Sequence, residues 1–87
     1  MAMPKSIFTG DHQALVETLT LARKRAGLTQ EELARRVGKD QSYVSIIERS
    51  QRRVDVLEFY ALARAMAADP VALFAEIVGK LPAHIDV

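Results

Sequence analysis

The fold of this 87-residue chain is decided by residues 30–49, QEELARRVGKDQSYVSIIER. The stretch contains two short segments of helical period on either side of Gly38, where a positive φ lets the chain turn sharply. Each segment is apolar on one side and polar on the other. The pattern predicts two short helices joined by a tight turn, with one face buried and the other facing outward.

A helical wheel of the second segment separates these two faces. At about 100° per residue, Val44 and Ile47 lie about 60° apart and define the buried side. Ala34, in the preceding segment, is small enough to let the two helices cross closely. The residues that point outward are Ser42, Ser45, Ile46 and Arg49, with Gln41 and Tyr43 on the flanks.

The outward side chains suit hydrogen bonding to the bases of DNA. Each base pair shows a mixed pattern of donors and acceptors in the major groove, and Gln41, Ser42 and Ser45 can both donate and accept. Ile46 can pack on a thymine methyl group. Tyr43 lies either against the scaffold or beside a sugar-phosphate. The alternative is an ordinary solvated helix face on which Ile46 is a single exposed apolar residue.

Upstream of this stretch the sequence predicts one helix. It begins at about Asp11 and ends at Gly27, a residue that tolerates the left-handed conformation. Thr29 and Glu32 then form a capping box that opens the second helix, and Asp40 caps the third. The apolar stripe of the first helix consists of Leu15, Leu19, Ala22 and Ala26.

Downstream the sequence predicts two more helices. Asp55 and Glu58 form a second capping box, which opens the fourth helix. Asp69 followed by Pro70 opens the fifth, because proline at the first helical position loses no needed N–H group. The apolar residues are Val56, Phe59, Leu62, Ala63 and Met66 in the fourth helix and Leu73, Phe74, Ile77 and Val78 in the fifth.

The whole chain is predicted to be all-α, because no stretch alternates at period two. An N-terminal arm at residues 1–10 precedes a compact five-helix domain at 11–82 and a C-terminal tail at 83–87. The second helix is expected at about 30–37 and the third at about 41–49. Hydrophobic residues make up 49% and charged residues 26%, values typical of a globular domain.

Charge is concentrated in the middle of the sequence. The net charge is +1, yet residues 23–53 hold nine bases against four acids, and the rest of the chain holds three bases against seven acids. A basic middle with acidic flanks suggests a polyanion-binding surface of limited extent. The alternative is a solvated charged face.

The composition disfavours several classes of protein. The chain has no cysteine, and His12 and His84 are far apart in sequence, so neither a disulfide framework nor a metal site is expected. No signal peptide or bilayer-spanning run is visible, which predicts a cytoplasmic protein at the bacterial nucleoid. No catalytic trio or phosphate-binding glycine loop is recognisable, so we expect neither an enzyme nor a cofactor.

The motifs LTQEELARRV at 28–37, Gly38 and SYVSIIER at 42–49 resemble the XRE family, the helix-turn-helix family of the lambda repressor-like and Cro proteins. The resemblance covers about residues 21–74. It implies a five-helix fold and a transcriptional regulator that reads the major groove of double-stranded operator DNA with its third helix. Members usually bind as a two-fold homodimer.

The resemblance also implies roles for individual residues. Gln30 resembles a glutamine that contacts a phosphate and braces Gln41 for adenine, and Arg23 and Glu48 match an ion pair between the first and third helices. The implied base-reading residues are Gln41, Ser42, Ser45 and Ile46. The implied backbone-contacting or bracing residues are Thr29, Gln30, Lys39, Tyr43, Arg49, Arg52 and Arg53.

Three residues depart from the family pattern. Lys39 stands where an apolar residue is common, and it can add a phosphate contact. Ser50 stands where glycine is common, which leaves the end of the third helix open. Ile46 stands where a polar base reader is frequent, so the recognised sequence does not follow by analogy.

The apolar C-terminal residues are the candidate dimer interface, with completion of the domain core as the alternative. They are Leu73, Phe74, Ile77, Val78 and Leu81. A second functional hypothesis is an antitoxin-like interaction module that binds a partner protein through the fifth helix. No small-molecule effector is evident.

Overall fold

The computed structural model describes residues 10–86, which form five α-helices and no strand. The all-α, five-helix prediction is therefore confirmed. Gly10 is the first residue of the first helix, and the rest of the predicted arm lies outside the described residues. No described helix is long and apolar enough to cross a membrane. The helices are α1 (Gly10–Arg25), α2 (Gln30–Arg36), α3 (Gln41–Glu48), α4 (Val56–Ala65) and α5 (Pro70–Val78).

Side-chain caps determine where four of the helices begin. Before α2, the Thr29 hydroxyl accepts a hydrogen bond from the Glu32 backbone N–H, and Glu32 Oε1 accepts one from the Thr29 N–H at 2.8 Å. These bonds satisfy N–H groups that have no partner inside the helix. The caps of α3, α4 and α5 are the carboxylates of Asp40, Asp55 and Asp69. All four helix starts are at the capping residues that the sequence indicated.

Four helices end with a residue in the left-handed conformation. The backbone N–H of the residue that follows donates to a carbonyl inside the helix, over 2.9 to 3.1 Å, which closes the last turn. Glycine adopts this conformation freely, whereas a Cβ disfavours it. Ser50 therefore adopts the backbone conformation for which the family pattern has glycine. The φ angles are 74° at Gly27, 73° at Gly38, 58° at Ser50 and 56° at Ala67.

The core lies where the five helices meet. Ala34 in α2 and Ala63 in α4 have no exposed surface, which lets the helices around them approach closely. Val44 and Ile47 are each 2% exposed, so the predicted buried side of α3 is confirmed. The other buried members of the cluster are Leu19, Ala22, Leu28, Leu33, Phe59, Leu62, Met66, Leu73 and Ile77.

In the first and fourth helices, two residues of the predicted apolar stripes, Val56 and Ala26, are exposed. Val56 is 81% exposed, because it is the first residue of α4 and precedes the turn that contacts the other helices. Ala26 is exposed because α1 ends one residue before it.

The candidate dimer residues divide into two groups. Leu73 and Ile77 are 4% and 2% exposed, so burial in the domain core excludes them from a contact between copies. Phe74 and Val78, on the other side of α5, are about half exposed. Leu81 is partly buried against the core. Helical period alone could not assign these sides, since all of them are apolar.

Substitutions at the two kinds of left-handed position should change stability in opposite directions. A Cβ at Gly38 meets no atom within 4 Å. Gly38→Ala should therefore lower the free energy of unfolding only by the cost of placing alanine in the left-handed conformation, about 1 kcal/mol. Ala67→Gly removes the same conformational cost at residue 67, although the greater conformational entropy of the unfolded chain offsets part of the added stability. Thermal unfolding should show Tm lowered by about 4 to 8 °C for Gly38→Ala and raised by less for Ala67→Gly. A lower Tm for Ala67→Gly would contradict the strain assigned to Ala67.

Candidate nucleic-acid interface

The outward face of α3 begins with an exposed glutamine that a second glutamine holds. Gln41 Nε2 donates to Gln30 Oε1 at 3.0 Å. Gln30 is the first residue of α2 and Gln41 the first residue of α3, so the tight turn at Gly38 brings the two helix starts together. The structure therefore joins the proposed brace to the proposed reader.

Gln30 also contacts the ion pair between α1 and α3. Arg23 Nε donates to Glu48 Oε2 at 2.7 Å, and Arg23 Nη2 donates to Glu48 Oε1 at 3.0 Å. Gln30 Nε2 donates to the same Glu48 Oε1 at 2.9 Å. The Arg23 and Glu48 side chains are 11% and 10% exposed, and removing one partner of a buried pair costs about 3 to 5 kcal/mol. The sequence suggested the glutamine pair and the ion pair separately, and the fold connects them.

The two serines of the outward face already have protein partners. Ser42 Oγ donates to Asp40 Oδ1, and this bond is the main reason why the pKa of Asp40 is lowered. Arg49 Nη1 donates to Ser45 Oγ. Ser42 therefore retains only acceptor capacity, whereas Ser45 still has its own O–H to donate. Ile46 is partly exposed beside them.

Tyr43 is half-buried and connects α3 to the start of α4. The guanidinium of Arg52 lies 5.2 Å from the Tyr43 ring centroid, and Lys39 Nζ lies 5.6 Å from it. Arg52 Nη2 donates to Glu58 Oε2 at 2.9 Å. Burial, and then the charge of Glu58, raise the pKa of Tyr43. Tyr43 and Arg52 thus connect the loop after α3 to Glu58 in α4.

The remaining cations near α3 are exposed. Lys39 follows the turn, and Arg49 caps the end of α3. Arg53 forms no ion pair within residues 10–86. Thr29, whose hydroxyl caps α2, is exposed next to Gln30. Lys39, Arg49 and Arg53 therefore leave exposed positive charge at the end of α3 and on the loops that flank it.

A buried histidine supports the loop between α3 and α4. His12 is 7% exposed, and its Nε2 has no hydrogen-bond partner in the described part of the chain. Burial lowers the pKa of His12, against an opposing hydrogen bond with the Arg52 backbone, and the charge of Arg53 lowers it further. Beside it, Gln13 Oε1 accepts a hydrogen bond from Ser50 Oγ at 3.1 Å. The sequence carried no signal for this role, because contacts between α1 and a distant loop follow no local pattern.

A family model described as helix-turn-helix matches residues 19–73 of the chain. The chain belongs to the helix-turn-helix family. This helix-turn-helix protein is of the XRE type, as its motifs indicated, and it is a DNA-binding domain of the transcription-regulator class and not an enzyme.

The helix-turn-helix chain is similar to two relatives in sequence and to a further solved structure in fold. It is 43% identical over 51 residues to an uncharacterised HTH-type transcriptional regulator, y4dJ, of Sinorhizobium fredii, over 59% of this chain and 66% of the relative. It is 44% identical to an XRE-family like protein from Pseudomonas syringae pv. tomato, with a TM-score of 0.79 over 90% of this chain and 95% of that one.

The third comparison is with the restriction-modification controller protein C.Esp1396I, solved as a tetramer in complex with its natural 35 base-pair operator. The TM-score is 0.74 over 83% of this chain and 95% of that one, at 22% identity. At this identity the likeness establishes the shared fold alone.

Burial of neutral His12 makes the stability of this helix-turn-helix protein depend on pH. Because its pKa is lowered on folding, the unfolded chain binds the proton more readily, so stability falls as the pH drops below the ordinary histidine value of about 6.5. The loss of Tm between about pH 7.5 and about pH 5.5 should therefore be smaller in His12→Gln than in the wild type. His84→Gln, at an exposed histidine, is the matched control and should lose as much Tm as the wild type. Equal losses in all three proteins would contradict this role of His12.

Proposed function

We propose that the chain is a sequence-specific regulator of transcription that reads the major groove of double-stranded operator DNA with α3. The observation that carries this proposal is the exposed Gln41 amide, held by Gln30 at the start of α3. In a helix-turn-helix the N-terminal residues of the second helix enter the groove. An amide that is already held loses less conformational entropy on binding than a free side chain, for which ordering costs up to about 1.5 to 2 kcal/mol.

The surface residues divide into readers and backbone contacts by their exposure and partners. The proposed base readers are Gln41, Ser42, Ser45 and Ile46. Lys39, Arg49 and Arg53 are proposed to contact phosphates, together with Thr29 and Gln30 at the start of α2. Tyr43 and Arg52 hold the loop in place behind them, because their side chains already contact each other and Glu58.

Substituting a reader and a phosphate contact should give different binding defects. Gln41→Ala is expected to lose about 1 to 3 kcal/mol and to relax the choice at one base pair. Arg53→Ala is expected to weaken all sequences alike and to reduce the salt slope by about one. Arg25→Ala is the matched control, because this exposed arginine lies 3.7 Å from Glu76 on α5 and should leave binding unchanged.

Selection from a randomised duplex library, followed by titration of the selected site at several salt concentrations, measures all three proteins. Unchanged affinity and base choice in Gln41→Ala would remove Gln41 from the reading surface.

We propose that the protein forms a two-fold dimer. The proposed contact is an apolar surface on α4 and α5. Large exposed side chains there include Val56 at 81%, Val71 at 79%, Tyr60 at 53% and Phe74 at 50%. They line one open groove of about 410 Å³. A contiguous apolar patch on a small domain marks an interaction surface. We name it the α4–α5 apolar surface.

We propose a second copy as the occupant of this surface, because α4 directly follows the loop that carries Arg53, so a contact here would link the dimer to a proposed phosphate contact. In the proposed dimer the loops of the two copies lie near the two-fold axis. The two α3 helices then contact half-sites about 34 Å apart. C.Esp1396I, which shares this fold, binds its operator as a tetramer.

Val71→Glu tests the dimer, because a charge at this exposed position should break the contact without unfolding the domain. Sedimentation velocity at tens of micromolar should give a dimer for the wild type and a monomer for Val71→Glu. Leu21→Glu, at an exposed residue of α1 outside the α4–α5 apolar surface, should stay dimeric. A wild type that is monomeric with and without operator DNA would reject the dimer and favour the antitoxin-like alternative, in which a different protein binds this surface.

A further inference from the structure

We infer that Glu48 is a positioning residue that sets which end of the Gln41 amide faces the DNA, and so makes Gln41 select adenine over guanine. The inference rests on the proposed function. It follows from hydrogen bonds that converge on Glu48: Arg23 donates to Glu48 from one side, and Gln41 donates to Gln30, which donates to Glu48, from the other. We call these four side chains the polarity relay.

The relay starts at a group that can only accept. A carboxylate has no proton to donate, and Arg23 has only protons to donate, so their two contacts at 2.7 and 3.0 Å leave no ambiguity of direction. Arg23 Nη1 also donates to the Leu28 carbonyl at 2.8 Å, which anchors the pair to the turn after α1. The orientation of Glu48 is therefore fixed by two hydrogen bonds from an arginine that is itself anchored.

The second step concerns the amide of Gln30. Because Glu48 Oε1 lies 2.9 Å from it and only accepts, Gln30 must direct its NH₂ group at Glu48. The carbonyl oxygen is at the other end of the same planar amide, so it faces Gln41. Without Glu48, the amide of Gln30 could rotate by half a turn and offer Gln41 either end.

The third step concerns Gln41. Facing the Gln30 carbonyl oxygen at 3.0 Å, Gln41 must donate through Nε2. Its own carbonyl oxygen remains free for an outside partner, together with the second N–H of Nε2. Because Glu48 can only accept, it fixes the orientation of the Gln30 amide, and Gln30 in turn fixes that of the Gln41 amide at the exposed start of α3.

The free carbonyl and N–H of Gln41 can both pair with adenine, but not with guanine. Adenine offers an N6 amino donor and an N7 acceptor in the major groove, so it can pair with both groups of Gln41. Guanine offers acceptors at both O6 and N7, which sets its O6 against the free carbonyl of Gln41. In a contact without water, guanine O6 and the Gln41 carbonyl oxygen would both lack a hydrogen-bond donor, which weakens binding. The relay therefore favours adenine.

Glu48 acts in this way in addition to its role in the ion pair. Its Oε1 accepts from both Arg23 and Gln30, at 3.0 and 2.9 Å, whereas a purely structural pair needs no third partner. The relay also crosses three helices, since Arg23 is in α1, Gln30 starts α2, and Glu48 and Gln41 are the two ends of α3. A role in base choice and a role in stability can therefore be separated by experiment.

Two variants test the relay. In Glu48→Gln the residue can present either end of its amide, so Gln30 and Gln41 lose their fixed direction. In Gln30→Lys the ion pair stays intact, but the ammonium group only donates. Gln41 must then accept from it and turn its NH₂ outward, which suits the two acceptors of guanine.

The experiment selects sites for the wild type from a randomised duplex library and identifies the base pair whose preference is lost in Gln41→Ala. Dissociation constants are then measured for that site with adenine or guanine at this pair. The wild type should prefer adenine by about tenfold or more. Glu48→Gln should fall to the ratio of Gln41→Ala, and Gln30→Lys should prefer guanine. The ratio is independent of the folded fraction, so loss of stability alone does not move it.

The results distinguish failure of the relay from failure of the proposed function. A full adenine preference in folded Glu48→Gln, or an adenine preference in Gln30→Lys, overturns the relay and leaves the proposed function standing. A wild-type preference for guanine at this pair overturns the relay in the same way. If Glu48→Gln does not fold, Gln30→Lys decides alone. A wild type with no sequence preference overturns the proposed function and the relay together.

Discussion

The position of α3 and of its outward face depends on the ion pair between Arg23 and Glu48. Both side chains are about nine-tenths buried, so each charge has lost most of its hydration and requires the other. Such a pair adds little net stability compared with apolar residues of the same size, yet removing one partner is costly. Its main effect is therefore geometric: it holds the end of α3 against α1, and through Gln30 it also holds the start of α3.

The proposed reading surface and the hydrophobic core are supported by the same short helices. Helices of seven and eight residues are not stable alone, because nucleation is unfavourable and few bonds follow it. α2 and α3 persist because side chains cap their starts, left-handed residues close their ends, and Ala34, Val44 and Ile47 bury their inner faces. The outer face of α3 can then be polar without loss of stability.

The basic residues in the middle of the chain divide into those that hold helices together and those that remain exposed and are proposed to contact DNA. Arg23 and Arg52 are held by carboxylates, and Arg36 donates to the Ala65 carbonyl at 2.9 Å, so these arginines hold helices together. Lys39 and Arg53 remain exposed to solvent. Counting bases in the sequence therefore overstates the charge available for DNA. The division between the two groups depends on which carboxylate or carbonyl each arginine reaches in the fold.

The sequence by itself determined the helix starts, the turn at Gly38 and the buried side of α3, because caps, turns and helical faces depend on residues within a few positions of one another. Only the tertiary structure decided which side of α5 is buried, that Val56 is exposed, and that His12 supports a loop. It also decided that Gln30 contacts Glu48, 18 residues away, and thereby joins the ion pair to Gln41. The physical reason is that burial and long-range hydrogen bonds depend on how helices pack against each other, which local periodicity does not encode.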